Sequence, residues 1–362
     1  MAGYRVATPQ VLETLATSLF EQLGAPGDIA AEVGGHLVRA NLAGHDSHGL
    51  IRIPQYALNI EQGAILPAAR PSVLQDKGAT ILVDGASGFG QFSSAYALER
   101  GVERAQQLGV AAVAVRHANH IGRVGDYTES AARRGLVAIV TVGGAGPGVG
   151  ASAPFGGTSR FLGTNPWSLA VPSAGSDPVL VDFATTVVAE GKVRVARAKH
   201  EALPPGCIVD TQGQPSTNPE DFYAGGTLLP FGGHKGYGLS LASALLGGLS
   251  AIGEDDPSLA ATPRPGTPPN GERTGGVLFL VIDPGSFGDR AAYAQSVQRV
   301  GRAAKRVTPA PGVREVLLPG EPEARTRAQR QLEGIALPDD TWAAIADVAG
   351  KLGVEMPAAR EA

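Results

Sequence analysis

The sequence predicts an α/β domain joined to a helical domain that is built from both ends of the chain. Two patterns carry this. Near both ends, apolar side chains recur at the three- and four-residue spacing of amphipathic helices. Between Ser72 and Pro284, short apolar runs of strand length alternate with helical stretches. The boundaries this suggests are residues 1–71 with 285–362 for the helical domain and 72–284 for the α/β domain.

In order, Thr8-Pro9 reads as an N-cap followed by proline at the first helical position. Val11, Leu12, Leu15, Leu19 and Leu23 then form one apolar face. A second helix spans Asp28 to Ala43, with Ile29, Val33 and Leu37 inward. Proline fits a first helical turn better than an interior, so Pro54 starts a third helix near Ile53. Strands are expected at 80–84, 110–115, 136–142, 167–171, 179–183 and 277–282. Helices are expected at 92–108, 123–134, 187–199, 236–249, 290–305, 321–333 and 339–352. Leu203 to Gly233 and Glu254 to Thr274 read as loops, the second exposed. There is no internal repeat.

The formal net charge of -4 offers no basic field for nucleic acid. No apolar run is long enough to span a membrane, and the N-terminus lacks signal-peptide character. The single Cys207 cannot close an internal disulfide. These features point to the cytoplasm.

Three segments are denser in polar groups than a fold requires. In Gly44-His45-Asp46-Ser47-His48-Gly49-Leu50-Ile51-Arg52, the arginine fork could grip a carboxylate and a histidine could move a proton near neutral pH. On a continuous helix His48, Arg52 and Tyr56 would share one face. A surface helix with a satisfied histidine would look the same. Arg116 to Tyr127 places His117, Asn119 and His120 between a buried strand and a helix, where α/β folds present site residues. Val179 to Thr186 ends a strand on Asp182, which could orient a histidine, hold a ribose or cap a helix. Lys235 lies in a glycine-lined turn suited to an anion, although no P-loop spacing is present.

His45/His48 and His117/His120 are both His-x-x-His pairs, but no carboxylate completes them at a standard zinc spacing. No metal is expected. The glycine run 143–150 contains no GxGxxG and is interrupted by Pro147, so it does not support a Rossmann domain.

Taken in order, these segments resemble the malate/L-lactate dehydrogenase family, which binds nicotinamide cofactors without that fingerprint. The match runs from Ser47-His48-Gly49 with Arg52 and Pro54 through Asn119-His120, Gly163-Thr164-Asn165-Pro166 and Asp182-Phe183-Ala184-Thr185. It continues through His234-Lys235-Gly236-Tyr237 to Leu318-Pro319-Gly320-Glu321. The runs 120–123, 192–196 and 204–207 look most like its hydroxycarboxylate dehydrogenase branch. Arg123 and Asp126-Tyr127 depart from the malate and ureidoglycolate branches.

The resemblance implies a non-Rossmann mixed-sheet NAD(P)-binding domain, NAD or NADP as cofactor, and a homodimer. It implies His120 as proton donor and acceptor, with His48 a second catalytic or cofactor-adjacent histidine. Ser47, Arg52 and Tyr56 would hold the substrate. Cofactor contacts would come from His48, Gly122, Arg123, Val124, Leu180, Val181, Asp182, Phe183, Ala184, Lys235, Leu318, Pro319, Gly320 and Glu321. The expected reaction is reversible hydride transfer at C2 of a small 2-oxo or 2-hydroxy acid, with a protonated His120 as the acid in reduction. The alternatives are a cyclic 2-carboxy imine reductase, a metal-dependent lyase or hydrolase, and a non-catalytic binding protein on the same scaffold.

Overall fold

The computed structural model describes residues 3–175, 177–252 and 274–361. The chain opens with β1 (Tyr4–Ala7), α1 (Pro9–Gln22) and α2 (Gly27–Leu42), then two tight helical turns at Asp46–His48 and Leu50–Arg52, and α3 (Ile53–Glu61). The Thr8 side chain caps α1 by accepting from the Val11 amide, and Pro9 occupies the first turn. Leu12, Leu15 and Leu19 are buried as expected, but Val11 faces solvent and Leu23 is only partly covered. At about 100° per residue, Val11 falls just off the stripe that its neighbour Leu12 defines.

Next come β2 (Ser72–Lys77), β3 (Thr80–Asp84), α4 (Gly90–Leu108), β4 (Val110–Arg116), α5 (Gly125–Arg133), β5 (Val137–Ala145), β6 (Trp167–Val171), β7 (Val179–Phe183) and α6 (Glu190–Lys199). They are followed by β8 (Ile208–Val209), β9 (Pro215–Ser216), α7 (Pro219–Tyr223), β10 (Thr227–Leu228), α8 (His234–Gly247), β11 (Thr274–Ile282) and α9 (Arg290–Lys305). The described chain ends with α10 (Glu321–Glu333), β12 (Ile335–Pro338), α11 (Asp339–Leu352) and β13 (Arg360–Glu361).

The main sheet has seven strands in the order β2-β3-β4-β11-β5-β6-β7. Only β3 and β4 run parallel, and α4 supplies the crossover that a parallel pair requires. Every other pairing in this sheet is antiparallel. This is a mixed sheet and not the parallel doubly wound sheet of a Rossmann domain. β11 lies between β4 and β5 although the sequence places it more than 120 residues after either, as the ranges above show.

Several elements differ from expectation. β2 is a polar, largely exposed strand with a register shift between Val73 and Gln75, so it shows no clean alternation. The segment Leu203–Gly233 is not a plain loop. It folds as β8, β9, α7 and β10 around Cys207, Ile208, Phe222 and Leu228, with strands too short to show a period. The terminal segments include a three-stranded sheet, β12-β1-β13. The expected loop Glu254–Thr274 lies outside the described residues except for Thr274, which opens β11. The glycine run at 143–150 has a packing role at its start. A Cβ on Gly143 would stand 2.3 Å from the backbone of Ser243 and Ala244, so glycine lets α8 seat directly on β5.

Residues from both termini share one core. Leu12, Phe20, Ile29, Leu37, Leu50 and Tyr56 pack with Ile335, Leu337 and Ile345. No helix among the described residues is long and apolar enough to cross a membrane.

Candidate active site

Two chain segments meet at the site. The first is 45–56, whose two tight turns are pinned by Asn41, a buried residue on α2. Asn41 Oδ1 accepts from the Leu50 amide at 2.9 Å, and its Nδ2 donates to Asp46 at 2.6 Å. Arg330 of α10 pairs with the same Asp46 at 2.6 Å. Because these turns replace a continuous helix, His48, Arg52 and Tyr56 do not share one helical face as expected.

The second segment is the loop from β4 to α5. The Asn119 amide donates to the carbonyls of Ala64, Ser87 and Gly88, each at 2.9–3.0 Å, and so fixes the loop. A Cβ on Gly90 would stand 2.2 Å from the Asn119 carbonyl oxygen, so α4 begins hard against it. Gly122 turns the chain with φ +75°, and a Cβ there would meet His36 Nε2 at 2.2 Å. The buried His36 accepts the Arg123 amide at 2.9 Å and reaches Asp126 at 3.1 Å. Gly122→Ala is therefore expected to cost about 1–3 kcal/mol from backbone strain alone, with the clash in addition. A thermal melt indistinguishable from wild type would contradict this.

Between the two segments, the rings of His48 and His120 stack at 5.4 Å between centroids and 21° between planes. Ser47 Oγ lies 2.9 Å from His48 Nδ1. The Tyr56 hydroxyl lies 2.6 Å from His120 Nδ1, and it accepts from Gln91 Nε2 at 2.7 Å. His120 is open to solvent at its outer side. The surrounding protein, with His48 and Arg52, still holds its pKa well below the ordinary histidine value. Burial and the nearby Arg52 bring His48 down to about 3. Both rings are therefore neutral near pH 7.

Arg52 donates through Nε to the Ser47 carbonyl and through Nη1 to Gln55, each at 2.6 Å. No carboxylate among the described residues forms an ion pair with it. Glu190 and Arg194 of α6 act on it electrostatically with opposite signs. Gly191 of the same helix packs beside Ser47.

The remaining candidates have contacts of their own. Asp182 accepts the Gly125 amide at 2.9 Å and so satisfies the start of α5. Burial pushes its carboxyl up, while Arg123, 3.7 Å away, pulls the other way. The Arg123 side chain is enclosed between Asp182 and Glu129. Val124 is in the core beneath the sheet. Leu180 donates its amide to the Pro319 carbonyl at 3.0 Å, which joins the strand end to the 318–321 turn. Glu321 binds Lys305 and the Leu318 amide. Val181 accepts from Ser168, Phe183 packs edge-on to Phe231, and Ala184 is half-buried after β7. Lys235 stands exposed on the first turn of α8, and its ammonium has no partner among the described residues. His45 turns away from His48 to meet Glu323 at 3.5 Å.

Beside Leu318 and Pro319 lies a cavity of about 280 Å³, also lined by Val179, Val297, Arg302 and Lys305. A larger groove of about 810 Å³ between α2, α4 and α5 is walled by cations already paired, including Arg39 with Asp126 and Arg134 with Glu99.

Sequence reasoning missed Gln91 and His36, which act through contacts far along the chain, and Asn41, whose side chain pins the turns five to nine residues on. Gln91 sits at the start of a helix whose sequence shows no sign of a polar residue facing inward.

The malate/L-lactate dehydrogenase family model matches residues 7–346. The chain belongs to the malate/L-lactate dehydrogenase family. Within it, the chain is 36% identical over 347 residues to hydroxycarboxylate dehydrogenase B of Escherichia coli K12, covering 95% of this chain and 94% of that protein. It is 32% identical over 342 residues to the Δ1-pyrroline-2-carboxylate/Δ1-piperideine-2-carboxylate reductase of Pseudomonas putida, covering 94% and 95%. The solved sulfolactate dehydrogenase of Methanocaldococcus jannaschii superposes with a TM-score of 0.83 at 32% identity, covering 97% and 98%. Membership accounts for a nicotinamide enzyme without GxGxxG, since relatives of this family share the mixed-sheet fold.

Proposed function

We propose that this malate/L-lactate dehydrogenase family member reversibly transfers hydride between NAD(P)H and C2 of a small 2-oxo or 2-hydroxy acid. The observation that carries the reading is Arg52. It is a half-buried guanidinium with no carboxylate partner among the described residues, next to two neutral stacked histidines. A cation placed in this way favours an anionic ligand, and its planar fork suits a carboxylate. His120 then faces the oxygen on C2, where it gives or takes a proton. Ser47 orients His48, which stacks on His120 and limits its ring rotation.

The residues also fit the cofactor. The cavity beside the 318–321 turn combines apolar walls, Val179, Val297, Leu318 and Pro319, with the cation Arg302 and with Lys305, which Glu321 already pairs. That donor set suits a nucleoside bearing phosphate. Lys235 adds an exposed cation at a helix start. The bound nicotinamide supplies or removes the hydride. Both NAD and NADP suit this set, and the family resemblance supports a homodimer in the cytoplasm.

The test is loss of reduced-nicotinamide absorbance, with NADH and NADPH offered separately against pyruvate, oxaloacetate, 2-oxoglutarate and phenylpyruvate. Turnover of at least one is expected. The second reading, a cyclic imine reductase, is favoured by the 32% identity to the Pseudomonas reductase. Its substrate would bring Arg52 the same carboxylate. Turnover of a cyclic imine carboxylate alone would move the chain to that reading.

A further inference from the structure

The Nδ1 of His120 rests on a phenol, and the phenol rests on an amide. Tyr56 and Gln91 are both fully buried, so bulk water does not compete for these bonds. As the Gln91 amide is oriented, its Nε2 donates to the Tyr56 oxygen at 2.7 Å and occupies a lone pair there, while its Oε1 is buried without a partner among the described residues. The one phenolic proton is left for the other neighbour, His120 Nδ1, 2.6 Å away. A neutral imidazole that accepts at Nδ1 carries its proton on Nε2.

We propose that the Gln91–Tyr56 pair fixes His120 as the Nε2–H tautomer, and that Tyr56 refills Nδ1 as the Nε2 proton leaves. This rests on the reading that His120 serves the oxygen on C2. In reduction, C2 gains a hydride and the carbonyl π pair moves to oxygen. The oxygen takes the Nε2 proton. Nδ1 takes the phenolic proton, and the O–H bonding pair stays on Tyr56 as phenolate. His120 begins and ends neutral, as the other tautomer, and solvent later returns one proton. In oxidation every step runs backwards.

The surroundings suit this route. An imidazolium at His120 is disfavoured by burial and by the cation Arg52. Burial pushes Tyr56 up to about 12, with Arg52 opposing, so the phenolate forms only transiently. The alkoxide of a secondary alcohol is a stronger base than phenolate, so the net transfer from phenol to alkoxide runs downhill. The phenolate would be met by the Gln91 N–H, the new Nδ1–H and the charge of Arg52. Gln91 and Tyr56 act through His120 and are positioning residues.

The experiment is 15N NMR of the unliganded full-length protein labelled at histidine, with His120 assigned by the signals lost in His120→Asn. Wild type near pH 7 is expected to show His120 with Nδ1 unprotonated and Nε2 protonated. Gln91→Met and Tyr56→Phe are each expected to give a mixture of tautomers. Tyr56→Phe should also lower the reductive kcat by about 100-fold or more, with the 2-oxo acid KM within about threefold. Wild-type reductive kcat should stay flat between about pH 6 and 8. A proton on Nδ1 in wild type, an unchanged tautomer in both variants, or a tenfold loss of kcat per pH unit over that range would each overturn the proposal. If the NMR result is as expected but no 2-oxo acid or imine is reduced, the substrate reading fails and the tautomer assignment is supported.

Discussion

Replacing Arg52 with alanine is expected to lower kcat/KM for the 2-oxo acid by roughly 30- to several-thousand-fold. That range corresponds to losing a charge-assisted carboxylate pair worth about 2–5 kcal/mol. The loss should fall on both parameters, for two reasons. The guanidinium would hold the substrate, and its Nε also grips the Ser47 carbonyl at 2.6 Å. Removing it loosens the turn that carries His48 as well as the contact with the ligand. Arg52→Lys keeps the charge but not the fork, so it should recover only part of the activity. Steady-state kinetics on both variants, with circular dichroism to check folding, would decide. If Arg52→Ala is as efficient as wild type, the carboxylate is held elsewhere and the proposed orientation of the substrate is wrong.

His120→Asn should have the second large effect, a fall in kcat of about 10²–10⁴-fold, the usual range for removing a positioned acid–base group. The effect on KM should be small, because His120 meets the reacting oxygen and not the carboxylate. Its ring is open to solvent on one side, so its loss creates no enclosed core cavity and the melting temperature should stay close to wild type. A variant that keeps wild-type kcat would remove His120 from the chemistry and turn attention to His48, whose ring stacks on it.

Much of this fold could be read from local pattern. β6, β7, α9, α10 and α11 fall where periodicity and capping place them, because each has a strong enough apolar pattern or clear enough end signals. The pattern failed where long-range contact decides the outcome. β1, β12 and β13 are two to four residues long and exist only as partners of one another. The glycine run at 143–150 resembled a cofactor loop, yet its first glycine is needed because α8 approaches β5 too closely for a side chain. At the candidate site His48, Arg52 and His120 were visible because histidine is rare in this chain and each residue lies in a short segment dense in polar groups. Gln91 was not, because only the folded chain brings it beside Tyr56 from 35 positions away.

The small sheet has a consequence for the order in which the molecule comes together on the ribosome. β1 hydrogen-bonds only to β12 and β13, which emerge more than 300 residues later. The apolar face of α1 and α2 likewise waits for Ile335, Leu337 and Ile345 to cover it. Loop closure over that distance is slow, so the nascent chain carries an uncovered hydrophobic face through most of translation. Arg330, which grips Asp46 beneath the Ser47–His48 turn, arrives just as late. A ribosome-stalled product ending just before α10 would thus have all seven strands of the main sheet but lack the brace on its proton-handling turn. It would be a substrate for chaperones before it could act on any substrate of its own.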